Sequence, residues 1–486
     1  MAMQVSKKLW IVNMQSLSAL DRAFLLAETS EAPTHIATLA LYELPEGVDE
    51  QEYISDLKNL LTEDRSLRFP HGHRLKMTRL GLAGPVSWEE DPQLDLHYHI
   101  RHSALPKPGR FRELFALVSR LHSSLLDRGR PLWEFHLIEG LQDRQFATYL
   151  KFHHCALDGA GAMHFNRSMH STSPEDIRPF SPFSLEAFKK YKSGLVDKMD
   201  HKSANSTKDD SLGDLFSGYV TSATSIISAF GQTANAFLGR EEDLAVPWRD
   251  IPDTSFNKRV TGSRRFVAQS WDFDRVYKVS KKLGGTLNDT VLAMCAGALR
   301  LYLREHHELP VQSLKAMAPI SLRAKNDIDS SNAVATICAD LATNIADIET
   351  RYRHIQKSMI AGKEHLQQMD TEDIETYMMI RQLPEAAFIL LGLQDKFPPF
   401  SVVISNIPGS RDQWYWNGAK MTGSYPVSVV THGSALNITI VSNADHLDVG
   451  IVACRKAVPS VQRMIDYMED ALVELEKIPA SSGAKA

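Results

Sequence analysis

Phe146, Leu150 and Phe152 stand at even-numbered positions of Phe146–His154, in keeping with the two-residue period of a strand. Phe146, Leu150, Phe152 and His154 fall on one face, and Tyr149, Lys151 and His153 on the other, because successive strand side chains point to opposite sides. Two neighbouring histidines at this strand's end therefore face opposite ways, and a single pocket can hold only one. Gly159 and Gly161 allow tight backbone geometry just past the strand. Asp158 stands where an N-cap belongs if Ala160–Met169 is helical. Trp133–Ile138 pairs with the strand across the turn Glu139–Arg144, a hairpin that delivers the histidines.

Helical spacing of apolar residues recurs over Val48–Leu61, Arg112–Leu126 and Thr286–His306; Asp274–Leu283 and Val458–Leu475 also read as helices, and Ile348–Gln368 as a charged, mostly exposed one. Thr286 reads as a cap, with Asp289 near the positive end of its helix. Strands are expected at His35–Leu41, Asp91–Arg101, Arg265–Trp271 and Leu314–Ile320. Five antiparallel strands are expected at Phe400–Ser405, Gly418–Ser424, Pro426–Thr431, Ala435–Ser442 and His446–Cys454. Pro384 interrupts the apolar stretch Met378–Leu393, and Asn406-Ile407-Pro408-Gly409 is a turn by composition. Ser181–Ser211, rich in Ser, Lys and Asp, reads as a mobile linker, and Phe216–Leu238 as a crossover helix. Strands and helices interleave in both halves, which predicts an α/β (α+β mixed) fold. The expected division is an N-terminal domain over 1–180, linker and crossover over 181–258, and a C-terminal domain over 259–486. A chain of 486 residues also exceeds one ordinary core.

Composition narrows the class. Hydrophobic residues at 43% and charged residues at 23% are those of a globular protein, and a net charge of −5 argues against general nucleic-acid binding. Cys155, Cys295, Cys338 and Cys454 are scattered with no CxxC pair, as expected of reduced thiols. Neither a signal-peptide core nor a run of about 18 apolar residues is present, so the expected location is cytoplasmic.

The string His153-His154-x-x-x-Asp158-Gly159 resembles the HHxxxDG motif of CoA-dependent acyltransferases. Further elements extend the likeness over nearly the whole chain: Leu20-Asp21-x-x-Phe24, Pro131-Leu132-Trp133, Asn288-Asp289, Pro319-Ile320-Ser321-Leu322-Arg323 and Ser405-Asn406-Ile407-Pro408-Gly409. Their order and spacing resemble the bacterial wax ester synthase/acyl-CoA:diacylglycerol acyltransferase family. Ser410 stands where that family has proline.

The resemblance implies two chloramphenicol-acetyltransferase-like domains, each a mixed sheet backed by helices, with a channel between them. It implies His154 as the general base, His153 and Asp158 as supporting residues beside Gly159, and Asn288, Asp289 and Arg323 as oxyanion or structural support. Histidine suits the chemistry, since a free hydroxyl is a poor nucleophile and imidazole takes a proton near neutral pH. Acyl-CoA would be a substrate, no cofactor is expected, and the acceptor would be a long-chain fatty alcohol or diacylglycerol. Access to such acceptors implies peripheral contact with the inner membrane face or lipid inclusions.

Blander readings stand beside these. Asp158 alone reads equally as a helix cap, and Trp133 as hairpin packing. His-x-x-x-Asp could hold a metal, but no third ligand is signalled nearby, and none is expected. Lys258, Arg259, Arg264 and Arg265 read first as a solvated face, with CoA phosphates or lipid headgroups as the alternative. Phe388–Leu393, Phe397-Pro398-Pro399-Phe400 and Trp414-Tyr415-Trp416 are candidates for an acyl tunnel or greasy rim, against core packing. Alternatives for the whole chain are an acyltransferase or condensation enzyme using carrier-protein thioesters, and a non-catalytic lipid-binding relative.

Overall fold

The computed structural model describes residues 17, 19–79, 81–157, 159–191, 228–241, 243–321 and 334–480. Asp158, Arg323 and most of the expected linker lie outside the described residues. The α-helices whose bounds lie wholly within the described residues are α1 (Ala19–Ala27), α2 (Glu50–Glu63), α3 (Leu96–His99), α4 (Phe111–Ser123), α5 (Gly159–Met169), α6 (Phe273–Lys282), α7 (Leu287–Glu305), α8 (Ile348–Gln367), α9 (Thr371–Leu390) and α10 (Arg463–Lys477). Among the described residues, no helix is long and apolar enough to cross a membrane.

Two six-stranded sheets carry the fold. The first runs β11 (Tyr415–Trp416), β12 (Ala419–Val427), β1 (His35–Glu43), β6 (Gln145–His153), β5 (Trp133–Glu139), β4 (Ile100–Ala104). The second runs β7 (Arg264–Asp272), β14 (His446–Cys454), β13 (Leu436–Asn443), β10 (Val402–Ser410), β8 (Lys315–Ser321), β9 (Val334–Asp340). A separate hairpin pairs β2 (His73–Thr78) with β3 (Gly81–Glu90). The alternation along β6 is realised: Phe146, Leu150 and Phe152 enter one core with α2 and α5, and Ala147 and Tyr149 enter another with α4. That second core also takes Phe266 and Ala268 of β7 and Val452 of β14, so it joins the two halves. Edge strand β7 is capped across this seam, its Arg264 and Phe266 N–H groups donating to Ser123 Oγ and Ser119 Oγ of α4, each at 2.9 Å.

The expected division between halves is crossed by the chain itself, since residues 415–427 leave the second half and complete the first sheet, Pro426 pairing with Thr38. Asp448 of β14 fastens the crossing: it accepts from Ser424 N–H at 2.6 Å, Asn443 Nδ2 at 2.9 Å and Ser270 Oγ at 2.5 Å. Burial pushes its carboxyl up to about 6 despite these donors.

Several expected elements differ. The five strands over 400–454 are not uniformly antiparallel, for β10 runs parallel to both β13 and β8. Asn406–Gly409 lies inside β10 rather than forming a turn, with the ladder slipping between Ile407 and Ser410. There a side chain on Gly409 would stand 1.8 Å from Ser442 O. Asp91–Arg101 is not one strand: Asp95 accepts from His97 N–H at 3.0 Å and starts a helical turn, so the strand begins only at Ile100. Pro384 sits inside α9 without ending it. Pro384 and Ile380 are both exposed, so water can satisfy the carbonyl that lacks its helical donor. Strand β9 was not expected from the sequence.

Candidate active site

β6 ends at His153, and His154 opens the turn leading into α5, whose first residue is Gly159. His154 N–H donates to Thr34 O at 3.0 Å, so the turn is tied to the entry of β1. The two imidazoles occupy different settings. His153 is wholly buried. Its Nδ1 accepts from Cys155 N–H at 3.1 Å, which leaves the ring proton on Nε2, directed at Thr34 Oγ1 (3.1 Å) and Glu28 Oε1 (3.4 Å). Both nitrogens are thereby engaged. His154 is only partly buried, and its ring lies flat on Phe24 of α1, centroids 3.9 Å apart and planes 18° apart.

Glu28 comes directly after α1 and anchors this corner. It accepts from Arg128 Nε and Nη2 at 3.1 and 2.9 Å and from Thr34 N–H at 3.2 Å. Burial works to raise its carboxyl pKa, but His153, the Thr34 N–H and Arg128 together hold it below the usual value. Thr34 Oγ1 in turn donates to Phe24 O at 3.0 Å. Glu28, Thr34 and Arg128 were missed in the sequence, where Leu20-Asp21-x-x-Phe24 was the only signal from this region.

The corner lies where the halves meet. Ala32 is buried in the second half's core, and buried Arg264 donates through Nη2 to Glu31 O at 2.7 Å and Val430 O at 3.4 Å. Arg259 reaches Glu31 at 3.6 Å, and Lys258 pairs with Asp253 at 2.7 Å. Arg264 is therefore a seam residue, not part of a solvated basic face. His35 and His122 close the inner side: His35 Nε2 donates to His122 O, and His122 Nε2 to Ser428 O just past the crossing segment, both at 2.9 Å. Burial drives His122 down to about 3, so it stays neutral.

On the second half, Thr286 Oγ1 accepts from Asp289 N–H at 3.2 Å while Asp289 Oδ2 accepts from Thr286 N–H at 2.7 Å. This reciprocal box makes Asp289 the cap of α7. Asn288 Oδ1 accepts from Asn406 Nδ2 at 3.3 Å, so two motifs 118 residues apart converge and the Asn288 amide N–H₂ is oriented as a donor. Trp133 is core: it stacks on Phe183 (4.5 Å) and His99 (4.7 Å), and its indole donates to His71 O at 2.8 Å. Trp414 and Trp416 are core as well, whereas Leu390, Leu391 and Phe397 stand 71%, 68% and 50% exposed. The greasy stretches thus split between interior and surface.

The family described as "wax ester synthase/diacylglycerol acyltransferase catalytic domain" matches residues 17–291, and "WS/DGAT C-terminal domain" matches 330–476. A putative diacylglycerol O-acyltransferase of Mycobacterium tuberculosis is 39% identical over 95% of this chain and 99% of its own. The O-acyltransferase WSD of Acinetobacter baylyi is 36% identical over 96% and 98%. A solved wax ester synthase/diacylglycerol acyltransferase from Marinobacter aquaeolei superposes with a TM-score of 0.75 at 36% identity, covering 95% of this chain and 99% of that one. The starter condensation domain of rhizomide synthetase shares the fold at a TM-score of 0.53 and 13% identity.

Proposed function

The chain belongs to the wax ester synthase/diacylglycerol acyltransferase family, and from that premise we propose that His154 is the general base of its reaction. The protein is an O-acyltransferase that moves an acyl group to an alcohol or to diacylglycerol. In the proposed course, acyl-CoA and the hydroxyl acceptor meet at His154 in a passage between the halves. The imidazole takes the hydroxyl proton as the oxygen attacks the thioester carbonyl. The C–S bond of the tetrahedral oxyanion then breaks, and the imidazolium returns the proton to the CoA thiolate. No resident cofactor or metal enters these steps.

The observation that carries this reading is the asymmetry of the histidine pair. Both nitrogens of His153 are engaged and its ring is sealed, while His154 is only partly buried and its backbone N–H is tied to Thr34, in the corner that Arg264 joins to the second half. Asn288, turned by Asn406, supplies a donor for the developing oxyanion. Asp158, Gly159 and Arg323 keep the supporting roles that the family resemblance implies, with no geometry assigned to them. The test is CoA-thiol release from free acyl-CoA with hexadecanol or diacylglycerol. Ester formed in step with thiol is expected; turnover only with carrier-protein thioesters would overturn the donor assignment.

The acceptors are insoluble, and we assign contact with a membrane or inclusion surface to α9. Met379, Leu383 and Leu390 recur along one face of α9 at 61%, 60% and 71% exposure, Leu391 just past its end is 68% exposed, and α9 packs against α1, which carries Phe24. Burying a leucine contributes about 1.5–3 kcal/mol, so Leu383→Glu with Leu390→Glu should cut co-flotation with lipid vesicles at least about tenfold. Turnover of soluble short-chain substrates should persist. Wild-type flotation by the double variant would contradict the assignment.

A further inference from the structure

We infer that Phe24 is a positioning residue for His154, and that α1 acts as a clamp on the histidine pair; this rests on His154 being the base. The proposed steps use no residue of Leu20-Asp21-x-x-Phe24, yet this stretch sets a phenyl ring flat on the reacting imidazole at 3.9 Å, closer than aromatic pairs usually stand. Rotation of an imidazole about its last torsion is broad and weakly restricted by itself. A flat partner at contact distance restricts it to one plane. Glu28 lies four residues after Phe24, its N–H donating to Phe24 O at 3.1 Å in helical fashion, and it reaches His153. One turn of chain thus holds both rings, through stacking on one and a carboxylate that faces the ring N–H of the other.

The clamp is itself held firmly. Leu25 is 1% exposed and packs with Trp88, Leu132 and Cys155, the residue next after His154. Arg22 Nη2 donates to Leu82 O and Gly84 O at 2.8 and 3.0 Å, and Arg128 Nη2 to Leu25 O at 2.8 Å. Phe24 is therefore fixed by neighbours that do not include the substrate. Positioning has kinetic weight, because an error of about 1 Å at a reacting group costs roughly 10²-fold.

Steady-state kinetics on the full chain separates orientation from packing. Phe24→Leu keeps apolar bulk and removes the flat ring; Phe24→Tyr keeps the ring. Phe24→Leu should lower kcat about 10- to 100-fold, with KM for acyl-CoA and alcohol within about twofold and an unchanged melting midpoint. Phe24→Tyr should retain kcat within about threefold. The His154 ring-proton resonance, identified by its loss in His154→Ala, should lie upfield from the stacked ring current, return downfield in Phe24→Leu and stay upfield in Phe24→Tyr. An unchanged kcat in Phe24→Leu, a loss confined to KM or melting midpoint, or equal losses in both Phe24 variants would overturn the clamp. If His154→Ala remains fully active, the base assignment falls and the clamp with it; if His154→Ala is inactive while Phe24→Leu is normal, only the clamp falls.

Discussion

Replacing His154 by alanine is expected to lower kcat for ester formation by about 10²–10⁴-fold, the contribution of a positioned general base, while the protein stays folded. The variant removes a partly buried ring whose backbone N–H still donates to Thr34 O, so the turn into α5 keeps its tie. His153→Ala should behave differently. It would empty a fully buried site and strip Cys155 N–H, Thr34 Oγ1 and Glu28 of a partner, which costs stability as well as activity. Melting midpoints measured beside initial rates of CoA release tell the two apart. Equal midpoint losses in both variants, or an active His154→Ala, would remove the distinction on which the site rests.

Replacing Gly450 by alanine is expected to break the seam between the halves. A methyl group there would stand 1.9 Å from Pro426 O and 3.3 Å from the Phe266 ring. The obstacle is backbone, and neither strand can give way: Pro426 is paired to Thr38, and Gly450 is paired to Thr439 on one side and Ala268 on the other. Overpacking that moves backbone typically costs about 1–3 kcal/mol, and an unyielding backbone obstacle puts this site at the upper end, seen as a lower melting midpoint or loss of soluble protein. Gly231→Ala is the control, with nothing within 4 Å and a place in the helical stretch 228–237. It should be neutral or slightly stabilising. A Gly450→Ala protein with the wild-type midpoint would show that the strands do not cross so closely.

What could be read from the sequence was local. Alternation along β6 sends Phe146, Leu150 and Phe152 into one core and Ala147 and Tyr149 into another, and Thr286 with Asp289 caps α7, but the strand stops at His153, so His154 takes its direction from the turn and not from the strand period. What could not be read depended on partners far along the chain. No pattern within 415–427 tells which sheet completes those strands; that is decided by β1, which offers a free edge some 380 residues earlier. Asp91–Arg101 alternates well enough for a strand, but a single aspartate cap decided for a helical turn. Within the site, Glu28 and Arg128 are ordinary charged residues until folding brings them, 100 positions apart, to one buried corner. Asn288 and Asn406 were each visible as a motif, and their pairing was visible in neither.

The central claim is direct transfer at His154, from thioester to alcohol with no covalent stop on the protein. Rapid mixing of wild-type enzyme with a stoichiometric amount of acyl-CoA, with and without hexadecanol, tests it most directly by tracking thiol release and the intact protein mass. The expected result is thiol release only when the alcohol is present, with the protein mass unchanged throughout. One equivalent of thiol released without alcohol, accompanied by a protein heavier by one acyl group, would contradict it.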